Sequence, residues 1–135
     1  MRLVVVAGLS IGLAACGNAA ASSPDGSNPA HCLAAFHYDA YWFKVDNQPD
    51  KVAEYIAREL YVLEKVKSHG GSQASVLAEA KQFSLENVKD SKLMDALGLE
   101  CGMSLAADAR FRAEFAGLIE KARPLVPRFE AAATP

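Results

Sequence analysis

The stretch NPAHCLAAFHYDAYWFK, residues 28–44, indicates how the fold begins. Asn28 followed by Pro29 is a typical helix start, because asparagine caps free amide groups and proline fits the first helical turn. The sequence therefore predicts a helix over residues 30–44. Apolar side chains recur at spacings of three and four and so share one face of this helix. They are Cys32, Phe36, Ala40 and Phe43.

The same helical spacing continues after the turn formed by residues 46–50. A second helix is predicted over residues 49–68, and His69-Gly70-Gly71 ends it, because glycine readily adopts the left-handed conformation of a C-cap. Ser72 then caps a third helix. The apolar positions are Val52, Tyr55, Ile56, Leu60, Leu63 and Val66 in the second helix, and Val76, Leu77, Ala80, Phe83 and Val88 in the third.

A fourth segment keeps the helical spacing but contains two glycines, Gly98 and Gly102, on either side of Cys101. Each glycine inside a helix costs about 1 kcal/mol relative to alanine. Either the helix breaks here, or the glycines permit another helix to approach closely. Asp108 is a candidate cap for a last helix, which two downstream prolines end.

No run alternates between apolar and polar residues for long enough to predict a strand. No internal repeat is visible either. The sequence predicts an all-α fold, a small antiparallel bundle of four to five helices joined by short loops. A chain of this length builds a core of modest size.

The N-terminus has the parts of a secretory signal. Arg2 precedes the apolar run Leu3 to Leu13, which is shorter than the roughly 20 residues of a membrane-spanning helix. Leu13-Ala14-Ala15-Cys16 ends this run and resembles the lipobox of bacterial lipoproteins. The resemblance implies that residues 1–15 are a signal peptide and that Cys16, the first residue after cleavage, carries lipid. In the alternative, simple secretion, cleavage follows Ala19-Ala20-Ala21 and discards Cys16.

The resemblance also predicts where the protein is found. Lipid chains hold a protein firmly at a membrane, since each buried methylene contributes about 0.8 kcal/mol. We therefore expect a periplasm-facing protein of the bacterial envelope. In this family Asp directly after the lipidated Cys favours the inner membrane, and Gly17 at this position favours the outer membrane. Residues 16–29 are then the lipidated cysteine and a flexible tether, residues 30–129 the helical domain, and residues 130–135 a frayed tail.

Two cysteines, Cys32 and Cys101, remain in the domain once Cys16 is assigned to the lipid. An even number of cysteines in an exported chain predicts a disulfide, here between the first and the fourth helix. The chain-entropy model gives such a bond about 4 kcal/mol. A redox pair is disfavoured because the Cys-x-x-Cys spacing is absent.

The charge of the chain excludes some partners. Of the 14 Lys and Arg residues only Arg2 lies in the signal, so 13 basic and 16 acidic side chains remain, a net charge of −3. This mild, mixed charge offers no basic face for nucleic acid and no polybasic patch for anionic lipid. We expect no nucleic-acid partner, and membrane attachment through the N-terminal lipid.

No motif for catalysis, a cofactor or a metal is visible in the sequence. The histidines lack a second ligand at helical spacing, and the Cys-x-x-Cys-His motif of covalent haem is absent. The glutamates of the second helix, Glu59 among them, have basic neighbours and are interpreted as a solvated face. We expect no catalytic residue, no cofactor and no metal site. The histidines are His31, His37 and His69.

Aromatic side chains crowd the end of the first helix. One buried face cannot hold all of them, so Tyr38, Tyr41 and Trp42 either pack on a second layer of helices or form an exposed patch for a protein partner. The sequence thus favours a lipid-anchored envelope protein with a binding or accessory role. The alternatives are an exported inhibitor or immunity-type protein, and an enzyme with an unrecognised site that acts on envelope material.

Overall fold

A computed structural model describes residues 23–131 of the chain. Within this range it contains five α-helices, a final 3-10 helix and no strand. The predicted all-α bundle of four to five helices with one disulfide is confirmed. The helices are α1 Pro29–Val45, α2 Pro49–Ser68, α3 Gln73–Asn87, α4 Ser91–Ala107 and α5 Ala109–Ala122, and the 3-10 helix is Arg123–Arg128.

Helix α1 lies between α2, α3 and α4 and packs against all three. Its start is as predicted, since the Asn28 side chain accepts a hydrogen bond of 2.8 Å from the Ala30 amide and Pro29 is the first helical residue. The sequence predicted one apolar face for α1, but more of this helix is buried than that face. A helix enclosed by neighbours on several sides is buried around its circumference. The buried residues of its first half are Ala30, His31, Cys32, Leu33, Ala34, Ala35 and Phe36.

The second part of the core lies where α2, α5 and the 3-10 helix meet. Helix α5 ends at Ala122, and the two prolines that follow lie in the 3-10 helix. This agrees with the prediction that proline stops the last α-helix, because proline lacks the amide donor that the helix needs. Phe129, directly after the 3-10 helix, is buried in the same cluster as Ala40 of α1.

Helix α4 is continuous through both glycines. Of the two predicted explanations, close approach is correct at Gly98. A Cβ built there would lie 2.7 Å from Asp39 Oδ2 and 3.9 Å from the Ala35 Cβ, so α1 approaches α4 at this point. A Cβ built at Gly102 would have no neighbour within 4 Å, so close approach of another helix does not explain this glycine.

The chain contacts the bundle a few residues before the start of α1. Gly26 is buried, and the Asp25 carbonyl accepts a hydrogen bond from the Asn28 amide at 3.1 Å, so the chain packs on the bundle a few residues before position 30. The signal peptide, Cys16 and the first part of the tether lie outside the described residues, as do residues 132–135. Among the described helices, none combines the length and the apolar character that crossing a bilayer requires.

Candidate functional site

A cavity of about 560 Å³ lies between the first four helices, next to the disulfide. Its wall is mostly apolar and includes the buried side chains of Phe36, Val62 and Cys101. Its rim is exposed and polar and is formed by Ser27, Lys65, His69 and Ser104. Small-molecule sites are commonly apolar cavities of about 300–1,000 Å³ with a few polar groups that orient the ligand. We call this feature the apolar cavity.

The cavity lies where α3 and the end of α2 make little contact. Residues 69–72 turn the chain sharply, with Gly70 at φ +78° and the Gly71 amide bonded to the Val66 carbonyl at 2.9 Å. Helix α3 then packs chiefly on α1 and makes little contact with the end of α2. Apolar side chains that would otherwise meet there, such as Val66 and Val76, line the cavity instead.

The disulfide forms part of the cavity wall and holds two of its sides together. Cys32 of α1 and Cys101 of α4 are bonded with a Cα–Cα distance of 5.5 Å, across 69 positions of sequence. Both sulfurs are buried, because the two cysteines lie on the faces where α1 and α4 meet. The Gly26 carbonyl oxygen lies 3.2 Å from Cys32 Sγ, so the chain before α1 also closes on this point.

Lys65 belongs to a small polar network at the rim. Its Nζ lies 3.2 Å from Asp108 Oδ2, which also accepts the Tyr61 hydroxyl proton at 2.7 Å. The Tyr61 hydrogen bond and the amides at the start of α5 lower the pKa of Asp108 to about 2. Burial and the Asp108 charge raise the pKa of Tyr61 to about 12. The network therefore keeps a carboxylate and a neutral phenol across the physiological range.

A second depression of about 410 Å³ lies where α1, α2 and α4 meet near Gly98. We call it the acidic groove, since it is lined by Asp39, Asp95 and one cation, Arg58. The Arg58 guanidinium stacks on the Tyr55 ring at 4.2 Å. Burial and the neighbouring Asp95 raise the pKa of Asp39 to about 6, and Arg58 opposes this only in part. A carboxylate whose pKa is raised by burial and a like charge in a groove is a candidate functional group.

Large apolar side chains border the acidic groove and are open to solvent. Leu99 is 66% exposed and Met103 is 60% exposed, one turn apart on the outer face of α4. Exposed apolar side chains that flank a charged groove are typical of protein-binding surfaces.

The predicted aromatic patch is only partly at the surface. Tyr38 is buried and belongs to the core, so it is not part of an exposed patch. Tyr41 is half-buried, and its ring lies 5.2 Å from that of Trp42, which is 42% exposed. Tyr38 and Trp42 share one side of α1, and their rings lie 6.2 Å apart. The neighbouring helices cover this side at Tyr38 and leave it open near the end of α1 at Trp42. Trp42 lies one helical turn after Asp39, which lines the acidic groove.

The interpretation of Glu59 as part of a solvated face is wrong. Glu59 is largely buried, and its carboxylate accepts a hydrogen bond from His37 Nδ1 at 3.1 Å. Burial alone would lower the pKa of His37. The hydrogen bond and negative charge of Glu59, together with the Glu130 carbonyl, outweigh burial, and the pKa of His37 therefore lies above its ordinary value. Burial raises the pKa of Glu59. No local pattern could reveal this pair, because the partners are on different helices.

His37 also fixes the end of the chain. Its Nε2 donates to the Glu130 carbonyl at 2.6 Å, and its ring packs on that of Phe129 at 4.4 Å. Lys44 Nζ donates to the Phe129 carbonyl. This set of contacts is structural, because every polar group in it already has a partner.

The other two histidines lie apart from each other and from His37. His31 is buried, stacks on Phe83 at 4.1 Å and accepts the Asp25 amide at Nδ1, while its Nε2 has no partner among the described residues. His69 caps α2 and lies at the rim of the apolar cavity. Over residues 23–131 no three His, Cys, Asp or Glu side chains are grouped in a way that suits a metal ion.

Comparisons with known proteins give no relative for this chain: no family model, curated protein or solved structure matches it.

Proposed function

We propose that this chain is a lipid-anchored protein of the bacterial envelope that binds a small apolar molecule in the apolar cavity. The observation that carries the proposal is the cavity itself, about 560 Å³ with an apolar wall and a polar rim. The disulfide supports it, because a covalent bond between α1 and α4 keeps two walls of the cavity in place. The role is one of binding and needs no cofactor and no catalytic step.

The anchor is proposed from the lipobox-like Leu13-Ala14-Ala15-Cys16. Attachment at Cys16 places the domain on the periplasmic side, and Gly17 favours the outer membrane. A radiolabelled fatty acid should be incorporated into the natural chain and not into Cys16→Ser. A mature protein that begins at Ser22 with a free amine refutes the anchor and leaves the cavity proposal intact.

Binding is tested with N-phenyl-1-naphthylamine, a neutral probe whose fluorescence rises in apolar surroundings. The chain carrying Cys16→Ser has no lipid of its own, and we expect it to bind the probe saturably with one site. Ser104→Trp fills the rim from an exposed position and should weaken binding about tenfold or more. Ala96→Trp is the matched control, since Ala96 is exposed on the same helix and lines neither depression. Absence of saturable binding, or equal binding by both variants, contradicts the proposal.

A second candidate function is docking of a protein partner on the acidic groove. It is favoured by the exposed side chains of Leu99 and Met103 beside two carboxylates and one arginine. Charge complementarity selects a partner segment that presents a Lys or Arg between apolar side chains. This is the accessory-subunit role, and it also suits an inhibitor or immunity-type protein.

Docking is tested with two synthetic amphipathic helical peptides that differ only in one central residue, lysine or glutamate. Fluorescence of Trp42, the only tryptophan of the chain, reports binding near Asp39. The lysine peptide should bind more tightly, and the combination of Asp39→Asn with Asp95→Asn should remove the difference. Equal binding of the two peptides to the natural chain refutes this candidate.

A further inference from the structure

We infer that the apolar cavity takes a single-chain amphiphile with an anionic head, of the fatty-acid class, and that Lys65 binds the head. The inference rests on the proposed function, because it assigns the chemistry of the ligand for the same cavity. The titratable side chains that line the cavity are Lys65, in the last turn of α2, and His69, which caps this helix, and no acid is among the lining residues.

Lys65 has the capacity to bind a ligand. Its side chain is 53% exposed, and its ammonium has three donors, of which one points to Asp108. Asp108 has partners besides Lys65, because it also accepts the Tyr61 hydroxyl and the amides of Arg110 and Phe111. A second carboxylate can therefore bind Lys65 without leaving Asp108 unpaired.

His69 is held at the rim in a fixed orientation. Its Nδ1 donates to the Lys65 carbonyl at 2.7 Å, which ties the imidazole to the last turn of α2. Three acids lie close to this region: Asp108 beside Lys65, Glu100 against Gly26, and Asp25, whose carboxylate accepts the Ser27 hydroxyl proton at 2.7 Å. None of them lines the cavity, so a head group at the rim meets the two basic side chains and the Ser104 hydroxyl.

The apolar part of the ligand is set by the shape of the wall. The polar rim is exposed, whereas Phe36, Val62 and the disulfide are buried, so polar groups lie at the opening of the cavity and apolar groups in its interior. A molecule with one polar end and one hydrocarbon chain matches this arrangement. Its chain replaces water on the apolar wall, which is favourable in proportion to the area covered.

The test is a competition between two molecules of equal chain length, dodecanoate and dodecanol, each displacing N-phenyl-1-naphthylamine at pH 7.5. We expect dodecanoate to bind about tenfold more tightly, since a charge-assisted hydrogen bond is stronger than a neutral one. Lys65→Gln should remove this advantage without changing the affinity for dodecanol. Lys67→Gln is the matched control, because Lys67 is exposed on the same helix and does not line the cavity.

The outcomes separate the inference from the proposed function. Equal affinities for the two molecules, or an advantage of dodecanoate that survives Lys65→Gln, overturn the inference and leave an apolar binding site. Absence of binding by both molecules and by the probe overturns the proposed function as well. Binding to intact phosphatidylglycerol vesicles without binding of dodecanoate shows that the basic rim contacts a membrane surface, and this also overturns the inference.

Discussion

Replacing Asp39 by asparagine should stabilise the protein at neutral pH. Asp39 lies in the acidic groove on the α1 side, with its Oδ2 at the close approach to Gly98. Burial and the neighbouring Asp95 disfavour its charged form, and Arg58 compensates only in part. Asparagine has nearly the same shape and carries no charge, so the unfavourable electrostatic energy disappears while the packing against α4 is kept.

The magnitude follows from the pKa of Asp39. A folded-state pKa of about 6, against 3.8 for the free side chain, corresponds to about 3 kcal/mol, because each pH unit represents about 1.4 kcal/mol. This is an upper value for a group that keeps some contact with water. For a domain of about 100 residues, where 1 kcal/mol shifts Tm by roughly 4–8 °C, a gain of about 3 kcal/mol corresponds to a rise in Tm of at most roughly 12–24 °C.

The dependence of stability on pH independently gives the sign of the Asp39 contribution. The folded state holds a proton on Asp39 up to about pH 6, whereas the unfolded state releases it near pH 3.8. Between these values the folded state binds more protons, so the free energy of unfolding attributable to Asp39 falls as pH rises. Above about pH 7 Asp39 is charged in both states, and the full decrease in the free energy of unfolding is present. Asp39→Asn removes this component, so its advantage should be near zero at pH 3.5 and largest above pH 7.

The assay is urea unfolding followed by helical circular dichroism at pH 3.5, 5.5 and 7.5, for the natural chain and for Asp39→Asn. Asp95→Asn should recover part of the gain, because it removes one cause of the raised pKa. Asp46→Asn, at an exposed position at the end of the same helix, should change little. The reasoning is refuted if Asp39→Asn destabilises the protein at pH 7.5, or if its effect is the same at all three pH values.

Three further predictions concern the disulfide and the chain end. Replacing Cys32 and Cys101 together by alanine should lower the free energy of unfolding by about 4 kcal/mol, the chain-entropy value for a loop of 69 residues, as measured by urea unfolding. Protonated His37 stabilises the fold because its pKa is higher in the folded state, and this stabilisation is fully present below pH 6.5 and is lost as pH rises through the folded-state pKa. Thermal melts from pH 6 to 8.5 should show the decline in stability, and His37→Gln should abolish this pH dependence. Phe129→Ala should cost about 3 kcal/mol in thermal or urea unfolding, because it empties a buried position.

Each of these has an outcome that contradicts it. Equal stability of the oxidised protein and the double alanine variant denies the disulfide a stabilising role. A pH profile of His37→Gln that matches the natural chain assigns the titration to another group. A loss for Phe129→Ala no larger than that of Leu125→Ala, at a position 38% exposed, shows that the chain end is not packed as described.

Local sequence determined most of the secondary structure. Asn28 with Pro29, Ser72, and Asp108 each begin a helix at the expected place, because a cap acts on amides one to three residues away. The two prolines after α5 end it for a similarly local reason. The pairing of Cys32 with Cys101 was also predictable, since both lie on apolar faces and no other cysteine remains in the domain.

Only the tertiary structure decided which side chains share a site. The burial of Glu59 with His37, the raised pKa of Asp39 beside Asp95, and the position of Lys65 at a cavity each depend on a contact between helices. Helical spacing gives the face of a residue within its own helix and does not give the neighbour across the interface. Tyr38 and Trp42, four positions apart on α1, have opposite fates for this reason: the neighbouring helices bury Tyr38 and leave Trp42 in solvent.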